Sequence, residues 1–432
     1  MNYVNEPTGV YFLIDNKSFY ASVECVQRDL NPLEACVVVL SEAENTNGGL
    51  ILAASPQAKK IYGISNVSRK RDLPNDPDLM IVPPRMNLYI EKNLQVNNIF
   101  HEFASEIDCY PYSIDESLID MTRTWHLFGK TPVAVARTIQ ERIRNQLGLY
   151  TTVGVGQNPL QAKLALDLLA KHNESLIGAL SYVSFAANIW PITDLTKVWS
   201  IGNRTEAHLN RMGIYSMYDL AHIDPYLLKK EMGVIGTQLL ALAWGIDRTN
   251  VEERIKPKEK NISNSQVLAR DYHKQDEIEV VIQEIGEQVA ARLRHQHQQT
   301  AVISLGVGFS LAEIADTGKT GFGHQLKIDP TDDTPTLNHY LLQIFRQFWQ
   351  HEAVRHIGVS VGHLSNTHDL QLDLFQDPHA QAKRYLVNQV MDQLRDRFGT
   401  TAIFYGHSLK HGATMLKRAG LIGGHNGGNS FD

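Results

Sequence analysis

The chain has 432 residues, of which 43% are hydrophobic and 20% charged, and its formal net charge is −6. This composition excludes a disordered protein and indicates a soluble globular chain of several domains. The apolar runs are too short to span a bilayer, and no secretory signal is evident. The three cysteines form no CxxC pair, which favours a reduced, cytoplasmic protein. The excess of acidic residues argues against a nucleic-acid partner, unless the basic residues cluster in one groove.

Strands and helices alternate through the first 178 residues. Apolar residues 10–14 predict a buried strand that ends at Asp15, and a helix follows over 16–28. We predict further strands at 35–40, 79–82, 107–112, 118–121 and 151–156, and helices at 56–62, 85–105, 132–146 and 159–171. Such alternation is typical of a layered α/β or α+β domain.

A second domain is predicted in the other half of the chain. Helices with short turns follow residue 180, and a charged linker covers 252–262. We then predict helices at 275–298 and 336–350, strands at 301–310, 324–329 and 355–364, and a last helix at 380–397. The elements from 275 to 364 therefore indicate a small second α+β domain.

Three carboxylates stand where strands are predicted to end. Asp15 closes the first strand, and Asp115 and Glu116 lie between two later strand-like runs. If they converge at one sheet edge, they repel each other unless cations lie among them, and Mg²⁺ prefers such oxygen ligands. The alternative for each residue alone is a solvated turn or a helix N-cap.

Two segments decide between these interpretations. Phe12–Glu24 (FLIDNKSFYASVE) resembles the first catalytic motif of Y-family DNA polymerases, and Ser113–Ser117 (SIDES) resembles the second. The resemblance covers nearly the whole chain and is strongest to the UmuC-type group of Gram-positive bacteria. It implies that Asp15, Asp115 and Glu116 hold two Mg²⁺ ions, with help from the backbone carbonyl of Asn16.

The same resemblance implies residues that handle the nucleotide. Tyr20 would lie under the incoming sugar and exclude a 2′-hydroxyl by steric clash. Phe19 is the better core candidate of this aromatic pair, although it adjoins the nucleotide site.

Lysines are implied as contacts of the triphosphate. The segment Ser55–Gly63 (SPQAKKIYG) resembles the fingers stretch that binds phosphates, which brings in Ser55 and either Lys59 or Lys60. Pro56 stands where many relatives carry tyrosine. Lys163, near the start of a predicted helix, resembles the palm lysine that reaches the β- and γ-phosphates. Without the resemblance, each of these three lysines would be interpreted as an ordinary solvated side chain.

Val198–Ile214 resembles a helix-hairpin-helix, whose turn offers N–H groups to a DNA phosphate. The turn residues implied as DNA contacts are Gly202, Asn203, Arg204 and Thr205. The alternative is a plain helical hairpin.

Gln371–Phe375 (QLDLF) resembles the peptide with which bacterial polymerases bind the sliding clamp, the β subunit. The residues implied as contacts are Gln371, Leu372, Leu374 and Phe375. Because leucines alternate along this segment, a half-buried strand is the alternative.

The implied fold is an α+β multidomain right-hand polymerase, with a palm at 1–26 and 86–178 and small fingers at 27–85. A helical thumb follows at 179–250, a linker at 251–262, a little finger at 263–366 and a C-terminal extension at 367–432. The implied function is low-fidelity translesion synthesis on primer-template DNA from dNTPs, in the SOS response to DNA damage.

Two rival hypotheses remain at this point. One is a nucleotidyl cyclase with a palm-like site, and the other is a non-catalytic or partner-dependent DNA-binding relative. Whether a UmuD-like or recombinase partner is needed stays open.

Overall fold

The computed structural model describes residues 3–46, 48–66, 68–253, 260–366 and 377–427. Its elements up to residue 82 are β1 (Tyr11–Asn16), α1 (Phe19–Val26), β2 (Val37–Ser41), β3 (Leu50–Ala54), α2 (Pro56–Tyr62) and β4 (Met80–Val82). The elements from there to residue 179 are α3 (Met86–Phe100), β5 (Cys109–Pro111), β6 (Glu116–Asp120), α4 (Trp125–Phe128), α5 (Pro132–Leu147), β7 (Thr151–Gly156), α6 (Pro159–Leu164) and β8 (Ile177–Ala179).

The predicted palm is built on a five-stranded sheet with the order β5-β6-β1-β7-β8. Its strand pairs are antiparallel except for β7 and β8, which are parallel. Because β1 is central, both of its faces are covered: Phe12 and Ile14 pack with α1, α3 and α5, while Leu13 packs with α6. This burial accounts for the apolar run that ends at Asp15.

The predicted fingers contain a separate three-stranded sheet with the order β3-β2-β4. Helix α2 packs on it through Ala58, and the helix ends at Gly63 in the left-handed conformation, with φ 64°. Glycine is favoured there because it lacks the Cβ that would strain this backbone. The bounds predicted for this helix, 56–62, are confirmed.

The predicted thumb is helical, and its apolar core also includes Leu160, Leu164 and Ala165 of the predicted palm. Its helices are α7 (Tyr182–Ile189), α8 (Asn203–Arg211), α9 (Met217–His222) and α10 (Pro225–Ala243). The helix-hairpin-helix predicted at Val198–Ile214 is only partly formed: residues 198–202 form a turn and no first helix, because the helical backbone before them is a single 3₁₀ turn at Leu195–Lys197, and α8 is the second helix.

The predicted little finger is a four-stranded antiparallel sheet with the order β11-β10-β12-β9. Its elements are β9 (Ile262–Tyr272), α11 (Gln275–His295), β10 (Gln298–Phe309), α12 (Leu311–Thr317), β11 (Gly321–Thr331), α13 (Thr334–Phe348) and β12 (Val354–Asn366). Helices α11 and α13 share one apolar core with the sheet.

The C-terminal extension connects the little finger to the catalytic half of the chain. It contains α14 (Pro378–Phe398), α15 (Met415–Arg418), β13 (Leu421–Ile422) and β14 (His425–Asn426). At one end, the backbone N–H of Thr414 donates to the Glu284 carboxylate over 2.9 Å. At the other, His425 Nδ1 lies 2.9 Å from the Ser41 hydroxyl, in the fingers. The backbone N–H of Asn87, in the palm, also donates to the Gly427 carbonyl over 2.9 Å, so the extension packs against three predicted domains.

Three sequence predictions are corrected by the structure. The helix predicted at 159–171 ends at Leu164 and continues as a π-helical turn, Ala165–Leu169, and a 3₁₀ turn, Ala170–His172. The strand predicted at 107–112 begins as a 3₁₀ turn, Glu106–Asp108. Strands β3 and β9 were not predicted: β3 (LILAA) is a short apolar run that offered a signal, whereas β9 (ISNSQVLARDY) has no regular alternation of apolar and polar residues. Within the described ranges, no helix is both long and apolar enough to cross a bilayer.

Candidate active site

The three carboxylates predicted to bind metal lie at one end of the palm sheet. Asp15 in β1 stands directly opposite Glu116 in β6 in the antiparallel register. Residues opposed in this way project from the same face of a sheet, with Cβ atoms about 4.5–5.5 Å apart. Asp115 immediately precedes β6, and its carbonyl accepts hydrogen bonds from the backbone N–H (2.9 Å) and side-chain amide (3.3 Å) of Asn16. The first and second predicted motifs are therefore joined here.

Two lysines pair with these carboxylates. Lys171 Nζ lies 3.2 Å from Asp15 Oδ2, and Lys163 Nζ lies 2.8 Å from Glu116 Oε1. Burial raises the pKa of Asp15; Lys171 opposes this rise, while the negative charges of Asp115 and Glu116 add to it. The pKa of Asp15 therefore stays raised despite the lysine, mainly because the carboxyl group is buried.

The donor atoms suit a hard divalent cation. As the side chains stand, no group of three or more histidine, cysteine, aspartate or glutamate residues in the described ranges is arranged to hold a metal ion. The oxygens of Asp15, Asp115 and Glu116 are nevertheless the ligand type that Mg²⁺ prefers. The buried Oδ1 of Asn16 also lacks a hydrogen-bond partner. The chemistry of the residues therefore fits Mg²⁺, provided that the lysines give way.

A cavity of about 540 Å³ opens beside the carboxylates. Its lining residues are Asp15, Lys17, Ser18, Phe19, Tyr20, Leu52, Ala53, Pro56, Lys59, Asn66, Ile114, Asp115, Thr152 and Lys171. Burial and the neighbouring charge of Lys17 lower the pKa of Lys59. Lysines held this close together favour an anionic ligand, because its charge relieves their repulsion.

Tyr20 lines this cavity and is held from behind by a buried network. Its ring stacks on Tyr89, with centroids 4.4 Å apart and an interplanar angle of 14°. The Tyr89 hydroxyl donates to Glu24 Oε1 over 2.7 Å, and Arg85 Nη2 lies 2.6 Å from Glu24 Oε2. Tyr20 lines the same cavity as Asp15 and Asp115, and burial and the charge of Asp115 raise the pKa of its hydroxyl. Phe19 also borders the cavity but is only 3% exposed, as expected for a core residue.

The fingers contribute Lys59 rather than Lys60 to the cavity. Both lie on α2, but Lys59 borders the cavity and Lys60 is exposed. Pro56, at the first position of α2, also lines it. Ser55 is fully buried and caps α2: its hydroxyl donates to the Ala35 carbonyl over 2.6 Å and accepts from backbone N–H groups. The structure thus gives Ser55 a backbone-bonding role and does not place it at the cavity.

The turn predicted to hold DNA is accessible in the thumb. Gly202 is the N-cap of α8, and Gly202, Asn203 and Arg204 are exposed. Thr205, one position further, is half-buried. The first N–H groups of a helix have no partner within the helix, so this end can donate to a phosphate.

Family models match both halves of this architecture. Residues 14–167 match the model of the impB/mucB/samB family, and residues 259–374 match that of the impB/mucB/samB family C-terminal domain. The protein UvrX of Bacillus subtilis (strain 168) is 36% identical, over 98% of this chain and 99% of its own length. The chain belongs to the impB/mucB/samB family.

Further family relatives carry polymerase names. DNA polymerase IV 2 of Bacillus subtilis (strain 168) is 37% identical over 96% of this chain and 98% of its own length. DNA polymerase IV of Moorella thermoacetica is 32% identical over 95% and 97%, respectively. The solved Y-family DNA polymerase chimera Dbh-Dpo4(243-245)-Dbh matches 83% of this chain and all of its own, with a TM-score of 0.65 and 19% identity. The predicted Y-family resemblance and multidomain right-hand fold are confirmed.

Several site residues of this family member were not predicted from the sequence. Lys17 and Lys171 line the cavity, and Asp167 pairs with Lys171 over 2.8 Å. The four-residue spacing of Asp167 and Lys171 on a predicted helix was an available signal. Glu24 lies inside the first motif, but its partner Tyr89 is distant in sequence and carried no signal.

The predicted clamp-binding residues lie outside the described residues. Gln371, Leu372, Leu374 and Phe375 belong to the gap between 366 and 377. The alternatives of a clamp peptide and a half-buried strand therefore both remain.

Proposed function

We propose that this chain is a template-directed DNA polymerase for translesion synthesis. The observation that carries the proposal is the opposition of Asp15 and Glu116, next to Asp115, beside a lysine-lined cavity that also contains Tyr20. The family relatives named DNA polymerase IV support it, since they match this chain over nearly its whole length. The cyclase hypothesis explains neither these full-length matches nor the thumb and little finger.

The reaction joins a dNTP to the primer 3′-hydroxyl and releases pyrophosphate. Asp15, Asp115 and Glu116, with the carbonyl of Asn16, would hold two Mg²⁺ ions. When bound, this pair of ions would activate the attacking hydroxyl and stabilise the leaving pyrophosphate. The protein's own contribution is to position the reactants and to keep charges prearranged around them.

The cavity residues would bind and select the nucleotide. Lys59 in the cavity would pair with phosphate oxygens, Lys163 would do so from its place beside Glu116, outside the cavity lining, and the ring of Tyr20 would exclude a ribose 2′-hydroxyl. Small fingers leave the nascent base pair loosely enclosed, which fits low fidelity and bypass of damaged bases. Gly202–Thr205 would hold a DNA phosphate through backbone N–H groups.

The remaining partners are proposed on sequence grounds. Gln371–Phe375 would bind the sliding clamp, and a UmuD-like or recombinase partner is a further candidate for SOS-dependent activation. A cytoplasmic location follows from the proposed role on chromosomal DNA.

Primer extension tests the proposal. The wild-type chain with Mg²⁺ and four dNTPs should extend a primer, also past a template abasic site. Asp115→Ala should abolish extension, because one of the three metal-binding carboxylates is lost. Equal extension by this variant would refute the site assignment, and no extension by the wild type, even with its partners added, would favour the non-catalytic alternative.

A further inference from the structure

Asp167 lies between two lysines that also reach the proposed metal ligands. Its Oδ1 is 2.8 Å from Lys171 Nζ, and its Oδ2 is 3.3 Å from Lys163 Nζ. The same two ammonium groups pair with Asp15 and Glu116, respectively. Each lysine therefore pairs with two carboxylates. One is a proposed metal ligand, and the other is Asp167, which both lysines share at the border of the site.

This arrangement depends on an irregular stretch of helix. Asp167 lies in the π-helical turn Ala165–Leu169, and Lys171 lies in the 3₁₀ turn that follows. A π-helical turn changes the direction of the side chains after it and is frequent at functional sites. The turn packs tightly on the sheet: a Cβ on Gly178 in β8 would come within 2.6 Å of the Ala165 carbonyl oxygen. The close approach of this glycine thus holds the turn in place.

An ammonium group and a divalent cation compete for the same carboxylate oxygens. A positive group 3.2 Å from Asp15 Oδ2 repels a metal ion that approaches this oxygen. The side chains of Lys171 and Asp167 are 38% and 24% exposed, so both have room to rearrange. Lys171 also lines the cavity, where a triphosphate would offer it a new partner.

We propose, building on the polymerase function above, that Asp167 is a positioning residue that draws Lys163 and Lys171 away from the metal-binding carboxylates. Before the metal ions arrive, the lysines neutralise Asp15 and Glu116 and keep the site folded. When the ions bind, Asp167 retains both ammonium groups at the border of the site. They are then close enough to pair with phosphate oxygens of the incoming nucleotide.

Mn²⁺ binding to the free protein tests this exchange without DNA, nucleotide or turnover. Binding would be followed by the electron paramagnetic resonance of free Mn²⁺. Lys163→Met and Lys171→Met should each tighten binding about threefold to tenfold, because a competing cation is lost. Lys171→Arg should bind like the wild type, since it keeps the charge. Asp167→Asn should weaken binding by a similar factor, because the lysines lose their alternative partner.

The decisive comparison uses combined variants. In the Lys163→Met/Lys171→Met background, Asp167→Asn should no longer change Mn²⁺ affinity, since its effect acts through the lysines. Lys197→Met and Asp194→Asn, which remove an ion pair in the thumb, serve as matched controls without effect. Thermal unfolding of each variant establishes that it is folded.

Three results would overturn the proposal. Unchanged or weaker Mn²⁺ binding by both folded lysine variants would exclude competition by their ammonium groups. A persistent effect of Asp167→Asn in the double-lysine background, or fewer Mn²⁺ ions bound, would make Asp167 a metal ligand. Primer extension by the wild type is measured separately, so its failure would count against the polymerase function and leave the exchange to be judged by Mn²⁺ binding.

Discussion

The stacked pair of Tyr20 and Tyr89 predicts that sugar selection depends on a residue outside the nucleotide cavity. Tyr89 is fully buried, and its ring lies 4.4 Å from that of Tyr20. We consider Tyr89→Leu, which removes the aromatic partner but largely fills the space, and Tyr89→Phe, which keeps the ring and removes only the hydroxyl. The two variants therefore separate stacking from the hydrogen bond to Glu24.

The magnitudes follow from these two interactions. An aromatic pair contributes about 0.5–1.5 kcal/mol beyond its burial, and about 1.4 kcal/mol corresponds to a tenfold ratio of rates. Tyr89→Leu should therefore lower the preference for dNTP over rNTP roughly twofold to tenfold. Tyr89→Phe should keep the preference and lower the free energy of unfolding by about 1.5 kcal/mol, near the lower end for a bond to a charged group. The lower end applies because Glu24 retains its bonds from Arg85.

The assay is the ratio of kcat/KM for a dNTP and its rNTP in single-nucleotide insertion, alongside denaturant unfolding of each variant. Selectivity that is unchanged in a folded Tyr89→Leu protein would refute the role of stacking. An equal loss of selectivity in Tyr89→Phe would show that the hydroxyl, and not the ring, holds Tyr20 in place.

Four further predictions follow from other parts of the chain. Tyr20→Ala should admit ribonucleotides in single-nucleotide insertion; unchanged sugar selectivity would remove Tyr20 from its proposed role. For Glu24, burial would raise the pKa, but hydrogen bonds from Arg85 and two other donors outweigh it and keep the pKa below its ordinary value of 4.5. Its ionised form therefore stabilises the fold above about pH 4.5, and this contribution is lost as the pH falls through the lowered pKa. Unfolding measured against pH should show that Glu24→Gln costs several kcal/mol at neutral pH and less in acid; a pH-independent cost would contradict this. Truncation after Gly420 removes the contacts of the extension with the fingers and the palm and should increase protease cleavage in the linker at 251–262; an identical cleavage pattern would mean that these contacts do not restrain the little finger. Deleting 371–375 should abolish clamp binding in a pull-down and spare basal extension, whereas unaltered clamp affinity would favour the strand alternative.

Local sequence patterns determined much of the architecture. Helix α2 could be bounded because Pro56 starts it and Gly63 ends it, and both act through local backbone conformation; the Ser55 hydroxyl also caps its first turn. The strand before Asp15 was evident because burial on both faces requires an unbroken apolar run. The three carboxylates were found through motifs whose residues are close together in the chain.

Only the tertiary structure shows which lysines neutralise the carboxylates of the candidate active site. The pairing of Lys171 with Asp15 joins residues more than 150 positions apart, and it depends on a π-helical turn that the helical pattern hid. The choice of Lys59 over Lys60 likewise depends on which side of α2 borders the cavity. Charge pairing and stacking act over a few ångströms in space, whatever the separation in the chain, so they become visible only once the strands and helices have packed.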